Sequence, residues 1–178
     1  MGAYPPGDVL SDTWTLSLNG TPTWIQLEAS GESPGQRQRE VGIYDPLGQR
    51  LIVYGGSGSD DVDPVGPGDL HALSLDGTPE WTKIRAQGTG PSHAWVASAS
   101  YDSVAQRMIV FDGQQGFALE LSSEPTWHHF CDGELRFPSS YDSLVTPFAS
   151  EPVLVADGVF LSVGDGAYRF SLNTPYCD

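Results

Sequence analysis

An all-β fold built from repeated units of four antiparallel strands is predicted by three features of the sequence. A short apolar pattern ending in leucine occurs four times, with its last residue at Leu18, Leu75, Leu121 and Leu172. A tryptophan follows the first three copies, at Trp24, Trp81 and Trp127. Apolar residues alternate in these segments with a period of two and without a helical period, which is typical of strands.

Each unit is predicted to contain four strands in a fixed order. The first strand ends in a Tyr-Asp pair, Tyr44-Asp45 or Tyr101-Asp102, best interpreted as turn residues. The second strand is apolar, and the third carries the leucine pattern. An Asn-Gly or Asp-Gly turn, at 19–20 or 76–77, then leads to the fourth strand with its tryptophan. Four short strands in a repeat of about fifty residues are typical of a β-propeller blade.

One face of each third strand is apolar and is predicted to pack against a neighbouring blade. The residues on this face are Trp14, Leu16 and Leu18; His71, Leu73 and Leu75; Phe117, Leu119 and Leu121; and Tyr168, Phe170 and Leu172. Burial of such side chains contributes roughly 1.5–3 kcal/mol each, so this packing would hold the blades together.

The repeats divide the chain into two complete and two partial blades. We predict the end of a partial blade at 1–29, complete blades at 38–86 and 94–131, and a partial blade at 150–173. These make about three blades, whereas complete propellers have roughly four to eight. Three explanations stay open: a fragment of a longer propeller, two copies that complete one ring, or an open stack with exposed edge strands.

These units resemble the kelch repeat. The matching features are Gly55-Gly56 closing a second strand, the aliphatic third strand and the tryptophan that opens the fourth strand. The second copy departs from the family pattern with Asp112-Gly113, and Glu40 stands where the family often has histidine, although Arg37 fits its arginine. The resemblance implies propeller blades that form an incomplete ring. The acidic composition with little lysine and the Gly-Thr-Pro-x-Trp repeats look similar to those of bacterial kelch proteins of extracytoplasmic type.

The charge balance excludes two classes of partner. The chain has 8 Lys and Arg against 23 Asp and Glu, a net charge of −15. Binding to nucleic acid or to an anionic membrane surface needs clustered cations, so we predict neither. The two cysteines, Cys131 and Cys177, are compatible with a disulfide or with two free thiols.

Two long loops are predicted to emerge on one face, because the loops of antiparallel strands alternate between two faces. They are 57–68 and 132–149. Rigid scaffolds concentrate binding residues on such loops, so we predict a recognition surface for a protein or peptide. Its candidate residues are Asp60, Asp61, Asp63, Asp69, Arg136, Phe137, Tyr141, Asp142 and Phe148.

No catalytic residue, metal or other cofactor is predicted. The aspartates near residue 60 lack the spacing of a calcium loop, and zinc-ligand spacing is absent, as are a nucleophile elbow and a phosphate-binding glycine motif. The predicted function is a noncatalytic interaction module, with a homodimer that completes the ring as one form. The alternative is part of a carbohydrate-binding or carbohydrate-active propeller enzyme, since the resemblance extends to galactose-oxidase-like enzymes and sugar isomerases.

Overall fold

The computed structural model describes residues 10–56, 69–91, 98–111, 115–130 and 176–177, and the backbone of three further strands between 154 and 171. These residues form strands, turns and bends without a helix, which confirms the all-β prediction. Accordingly, the described part of the chain contains no helix that could cross a membrane.

Fourteen strands follow one another along the described residues. They are β1 (Trp14–Ser17), β2 (Thr23–Gln26), β3 (Ser30–Gly31), β4 (Val41–Asp45), β5 (Arg50–Tyr54), β6 (Leu70–Ser74), β7 (Glu80–Ile84), β8 (Ser98–Asp102), β9 (Arg107–Phe111), β10 (Gly116–Glu120), β11 (Thr126–His129), β12 (Leu154–Ala156), β13 (Val159–Val163) and β14 (Ala167–Ser171).

The described strands form four sheets. Strands β4 to β7 and β8 to β11 are two consecutive antiparallel four-stranded arrays, and the short strand β3 extends the first by a parallel pairing with β7. Strands β12 to β14 form a three-stranded sheet, and β1 and β2 form a hairpin. Strands β4, β8 and β12, each the first strand of its sheet, are neighbours in space: β8 lies beside both β4 and β12. The described residues do not form a closed barrel or ring.

The Tyr-Asp pairs end the first strands through the same hydrogen bonds in both units. Asp45 Oδ1 accepts bonds from the amides of Leu47 and Gly48, each 3.1 Å long, and Asp45 Oδ2 accepts one of 2.9 Å from Arg50 Nε. An aspartate carboxylate that accepts amides two and three residues ahead closes a tight turn. Asp102 repeats this arrangement in the second unit. The prediction that these aspartates are turn residues is confirmed.

The main core lies between the two four-stranded arrays. The first array contributes Ile52, Tyr54 and Leu70 from one face, and the second contributes Leu119 and Trp127 from the face with the leucine pattern. The rings of Tyr54 and Trp127 are 5.1 Å apart and tilted. The Tyr54 hydroxyl donates a 2.9 Å hydrogen bond to the carbonyl of Pro91, so its polar end is satisfied inside the core. The packing predicted for the third strand is therefore confirmed in this unit.

The hairpin β1–β2 departs from that prediction. Trp14, Leu16 and Leu18 share a face whose equivalents are buried in the second array, yet all three are exposed, and so is Trp24. The prediction that this face packs against a neighbour is wrong for the first copy, because the described residues place no sheet in front of it. Leu75, at the end of β6, is exposed as well.

A glycine lies in each of the two connections between sheets that the structure describes. After β7, the amide of Gln87 donates to the carbonyl of Pro125 at 2.8 Å, and the amide of Trp127 donates back to Gln87 at 2.9 Å. Gly88 follows with a φ of 76°, and a Cβ there would lie 2.5 Å from the carbonyl oxygen of Trp127. Gly31 occupies the same position against Trp81. The close approach of two backbones therefore requires glycine at both places.

Replacing Gly88 with alanine should lower the free energy of unfolding by about 2–3 kcal/mol, because a strained φ and a steric overlap combine. Gly77 is the matched control: its φ is 82°, but nothing lies within 4 Å of the added Cβ. Gly77→Ala should therefore cost only about 1 kcal/mol. Denaturant titration of both variants measures the difference, and equal losses would disprove the close contact.

Candidate functional site

The loop 57–68 starts and ends at a fixed point of the first array. The amide of Gly55, just after β5, donates a 3.1 Å hydrogen bond to the carbonyl of Asp69, just before β6. Gly55 and Gly56 both have positive φ values, 72° and 93°, which glycine adopts without strain. The backbone on the two sides of the loop is therefore held together as the continuation of a hairpin.

Arg37 reinforces this point from the segment before β4. Its Nη1 donates a 2.9 Å hydrogen bond to the carbonyl of Gly55, and its Nη2 donates to Asp69 Oδ2 at 2.6 Å and to the carbonyl of Pro34. The side chains of Arg37 and Asp69 are only 6% and 11% exposed. An ion pair this deeply buried is sensitive to the loss of either partner.

Two further nitrogen groups lie beside the carboxylate of Asp69. Lys83 Nζ, on β7, is 3.5 Å from Asp69 Oδ1, and His71 Nδ1, on β6, is 3.4 Å from the same oxygen. His71 Nδ1 lies near this oxygen without forming a hydrogen bond to it. Burial lowers the pKa of His71 below its ordinary 6.5; Asp69 opposes this shift, and Arg37 and Lys83 add to it. His71 is therefore neutral at pH 7.

The charged groups of this cluster have a structural role. The Asp69 carboxylate is shared by Arg37, Lys83 and the edge of His71, so it is already neutralised by neighbouring cations. Within the described ranges, no three His, Cys, Asp or Glu side chains come together as they would around a metal ion. What the cluster does is anchor the strand ends from which the acidic loop emerges.

The structure covers one of the predicted site residues. Asp69 is described, at the position given above; the other eight lie outside the described residues, namely Asp60, Asp61, Asp63, Arg136, Phe137, Tyr141, Asp142 and Phe148. The sequence prediction of a recognition surface therefore stays a prediction.

Sequence reasoning missed that Arg37, His71 and Lys83 meet at Asp69. One part of this could have been read from the sequence. Counting back from the turn at 76–79 places Lys83 directly across from His71 in the β6–β7 hairpin, and the structure has this register. Arg37 gave no such signal, because it belongs to a segment that reaches the cluster only through the tertiary fold.

A second cluster lies where the last described residues meet β11. The ring of Tyr176 stacks on His128 with centroids 4.3 Å apart, and the amide of Cys177 donates a 2.9 Å hydrogen bond to the carbonyl of His129. Arg107 Nη1 donates to the Tyr176 hydroxyl, and its guanidinium lies over the ring of Phe130. Cys177 is disulfide-bonded, and the sequence contains one other cysteine, Cys131. Of the two alternatives for the thiols, the disulfide is therefore the one found.

Comparison with known proteins gives a distant relative. No protein-family model matches the chain. The chain is similar to "Acyl-CoA-binding domain-containing protein 4" of Arabidopsis thaliana, with 27% identity in an alignment 179 residues long that covers 93% of this chain. It spans about a quarter (24%) of the length of that curated relative.

These findings overturn the kelch assignment. No family model supports it, and the relative is described by a different domain, so the resemblance was wrong as a family identification. A bacterial origin, which rested on the same resemblance, is likewise unsupported by a plant relative. The physical reason is that the motifs behind it are requirements of the local structure. Gly55 and Gly56 provide positive φ values, and Trp81 fills a sheet face, in whatever family such sheets occur.

Proposed function

We propose that this chain is a noncatalytic interaction module whose sheets are blades of an incomplete propeller, and that it binds a protein or peptide through loops at one end of the sheets. The observation that carries the proposal is the anchored base of the loop 57–68. Arg37 and Asp69 hold both sides of that loop against the first array. A loop on a fixed base loses less conformational freedom on binding, which favours recognition.

Strand direction supports the choice of this end. Neighbouring strands within the arrays β4–β7 and β8–β11 are antiparallel, so successive connections lie at opposite ends. In the first array, the Asp turn at 45–50 and the turn at 76–79 lie at one end, and the loop 57–68 starts and ends at the other. The second array repeats this strand order, and 132–149 follows β11, which corresponds to β7. We therefore expect both insertions to emerge from the corresponding end of their arrays. That end is therefore the proposed recognition surface.

The charge indicates the chemistry of the partner. The chain carries a net charge of −15, and 57–68 contains three aspartates and no Lys or Arg. Opposite potentials across an interface accelerate association and select against acidic partners. The proposed partner is therefore a protein or peptide segment with exposed Lys and Arg.

The experiment compares two loop replacements. Residues 57–68 are exchanged for a Gly-Ser linker of equal length, and as a control residues 76–79 at the opposite end are exchanged in the same way. Binding of Lys/Arg-rich, neutral and acidic peptides is followed by fluorescence anisotropy. We expect binding of the basic peptides, weakened by about tenfold or more in the first variant, unchanged in the control and reduced by added salt. Equal binding by both variants, or none to any peptide, would refute the proposal.

The relative's name raises acyl-CoA as another ligand. Coenzyme A carries several negatively charged phosphate groups, and a chain with 8 cations and 23 acidic side chains disfavours such a ligand on electrostatic grounds. Calorimetric titration with an acyl-CoA tests this directly. Saturable heat of binding, unaffected by the replacement of 57–68, would favour the small ligand over the peptide.

A further inference from the structure

The hairpin β1–β2 has the register of two buried hairpins but is itself exposed. Leu16 lies opposite Trp24, as Leu73 lies opposite Trp81 and Leu119 opposite Trp127. Leu73 and Leu119 are 1% and 0% exposed, whereas Leu16 is 41% exposed. Trp81 and Trp127 are 6% and 4% exposed, whereas Trp24 is 64% exposed. The Leu-Trp pair is therefore buried in two of the three hairpins and exposed in β1–β2.

The covering element in the buried cases is the preceding unit. Leu119 and Trp127 pack against the β4–β7 array, including Tyr54. Leu73 and Trp81 pack against Leu27 and Ala29, which follow β2, as well as against residues of β5. Both four-stranded arrays thus present their Trp face to the unit before them, and the face of β1–β2 is the next position in that series.

The hairpin lacks the features that keep exposed strands apart. Residues 13–27 contain no charged side chain, although the chain as a whole is strongly acidic. Natural edge strands are often protected by lysine or inward-pointing charges. β1, although only four residues long, has no charged side chain and pairs on one side only among the described strands. Asp12 flanks the face, where its Oδ2 accepts a 2.6 Å hydrogen bond from Trp14 Nε1, so two copies would repel each other there and added salt would screen that repulsion.

The exposed area is sufficient for an interface. Trp14 and Trp24, about half to two-thirds exposed, leave on the order of 200 Å² of aromatic surface in water. Leu16 and Leu18 raise the patch to about 300 Å², the size of the largest apolar patch on a typical monomer, which is often functional. A symmetric dimer would bury two such patches and the two surfaces that cover them. The total buried surface would be about 1,200 Å², the lower limit for stable complexes.

We propose that the face formed by Trp14, Leu16, Leu18 and Trp24 is a self-association surface, covered by a second copy of this chain. The last sheet of the second copy, β12–β14, would stack on the hairpin as each sheet of one chain stacks on the next. The arrangement is reciprocal in a two-fold dimer, so both hairpins are covered. It continues the contact that the chain already makes between its own units, and it is independent of the peptide-binding proposal.

Light scattering on the full chain, over a range of concentrations and at low and high salt, tests this proposal. The mass of the chain is 19.1 kDa, and we expect twice that value, with dimerisation favoured by salt because each copy carries a charge of −15. Trp24→Glu should weaken the dimer by at least about thirtyfold. Leu47→Glu is the matched control: Leu47 is 66% exposed but lies in the β4–β5 turn, so the dimer should persist.

Three results would overturn the proposal. A monomer at all concentrations and salts excludes self-association, and a dimer unchanged by Trp24→Glu locates the contact elsewhere. Dissociation by Leu47→Glu would show a contact that does not depend on the hairpin face. Because Trp24 is exposed, the variant should keep its fold, and an unchanged far-UV circular dichroism spectrum is required before its mass is interpreted.

Discussion

Replacing Asp102 with alanine should lower the free energy of unfolding by about 3–5 kcal/mol, since it leaves the buried guanidinium of Arg107 without its carboxylate. Asp102 is 1% exposed, and its Oδ2 accepts a 2.9 Å bond from Arg107 Nε. Its Oδ1 also accepts the amides of Val104 and Ala105, which close the turn. Denaturant titration followed by tryptophan fluorescence measures the loss.

The repeat provides its own control for this prediction. Asp45 makes the same three bonds, but the side chain of Arg50 is 26% exposed, against 10% for Arg107. Water can therefore solvate Arg50 after Asp45→Ala, and the expected loss is smaller, about 1.5–3 kcal/mol. Asp102→Asn keeps an acceptor for the two amides and removes the charge, so it should fall between wild type and Asp102→Ala. Equal losses for Asp45→Ala and Asp102→Ala would show that burial of the arginine is unimportant.

Replacing Arg37 with methionine should cost about 3–5 kcal/mol, because it removes the deepest cation beside the buried carboxylate of Asp69. The loss includes the bonds from Arg37 to the carbonyls of Gly55 and Pro34. Thermal and denaturant unfolding of the variant measure it. The double variant Arg37→Met with Asp69→Asn should recover part of the loss, because the buried charge that lost its main partner is then absent.

Lys83→Met tests whether the loss of stability depends on the burial of the cation or only on its charge. Lys83 approaches the same carboxylate at 3.5 Å, but its side chain is 39% exposed, so its loss should change stability by less than about 1 kcal/mol. A Lys83 variant as unstable as the Arg37 variant would contradict the assignment of Arg37 as the main anchor.

Local patterns in the sequence were sufficient for the strands and turns. The alternation around Leu73 and Leu119, the Asp-Gly turn at 76–77 and the Tyr-Asp pairs each depend on residues within one hairpin, and the structure has the predicted arrangement. The kelch identification failed for the same reason, because such local requirements are shared by unrelated sheets.

The candidate site was only partly accessible to sequence reasoning. Lys83 and His71 could have been placed together from the hairpin register. Arg37 could not, because it reaches Asp69 from a segment more than thirty residues away, outside any strand pair that the pattern specifies. The sequence suggested that Asp69 is one of several acidic loop residues, whereas its pairing with Arg37 makes it the anchor of the base of the loop.

The sequence by itself determined that this protein is all-β, where its hairpins turn, and which side of each third strand is apolar, because the period of two and the Asp and Gly turns act within a few residues. Only the tertiary structure decided which apolar faces are buried. Trp24 and Trp127 have the same local pattern, yet one is exposed and the other is covered by the neighbouring array. Burial depends on what lies in front of a face, and that is a property of the assembled sheets rather than of any one strand.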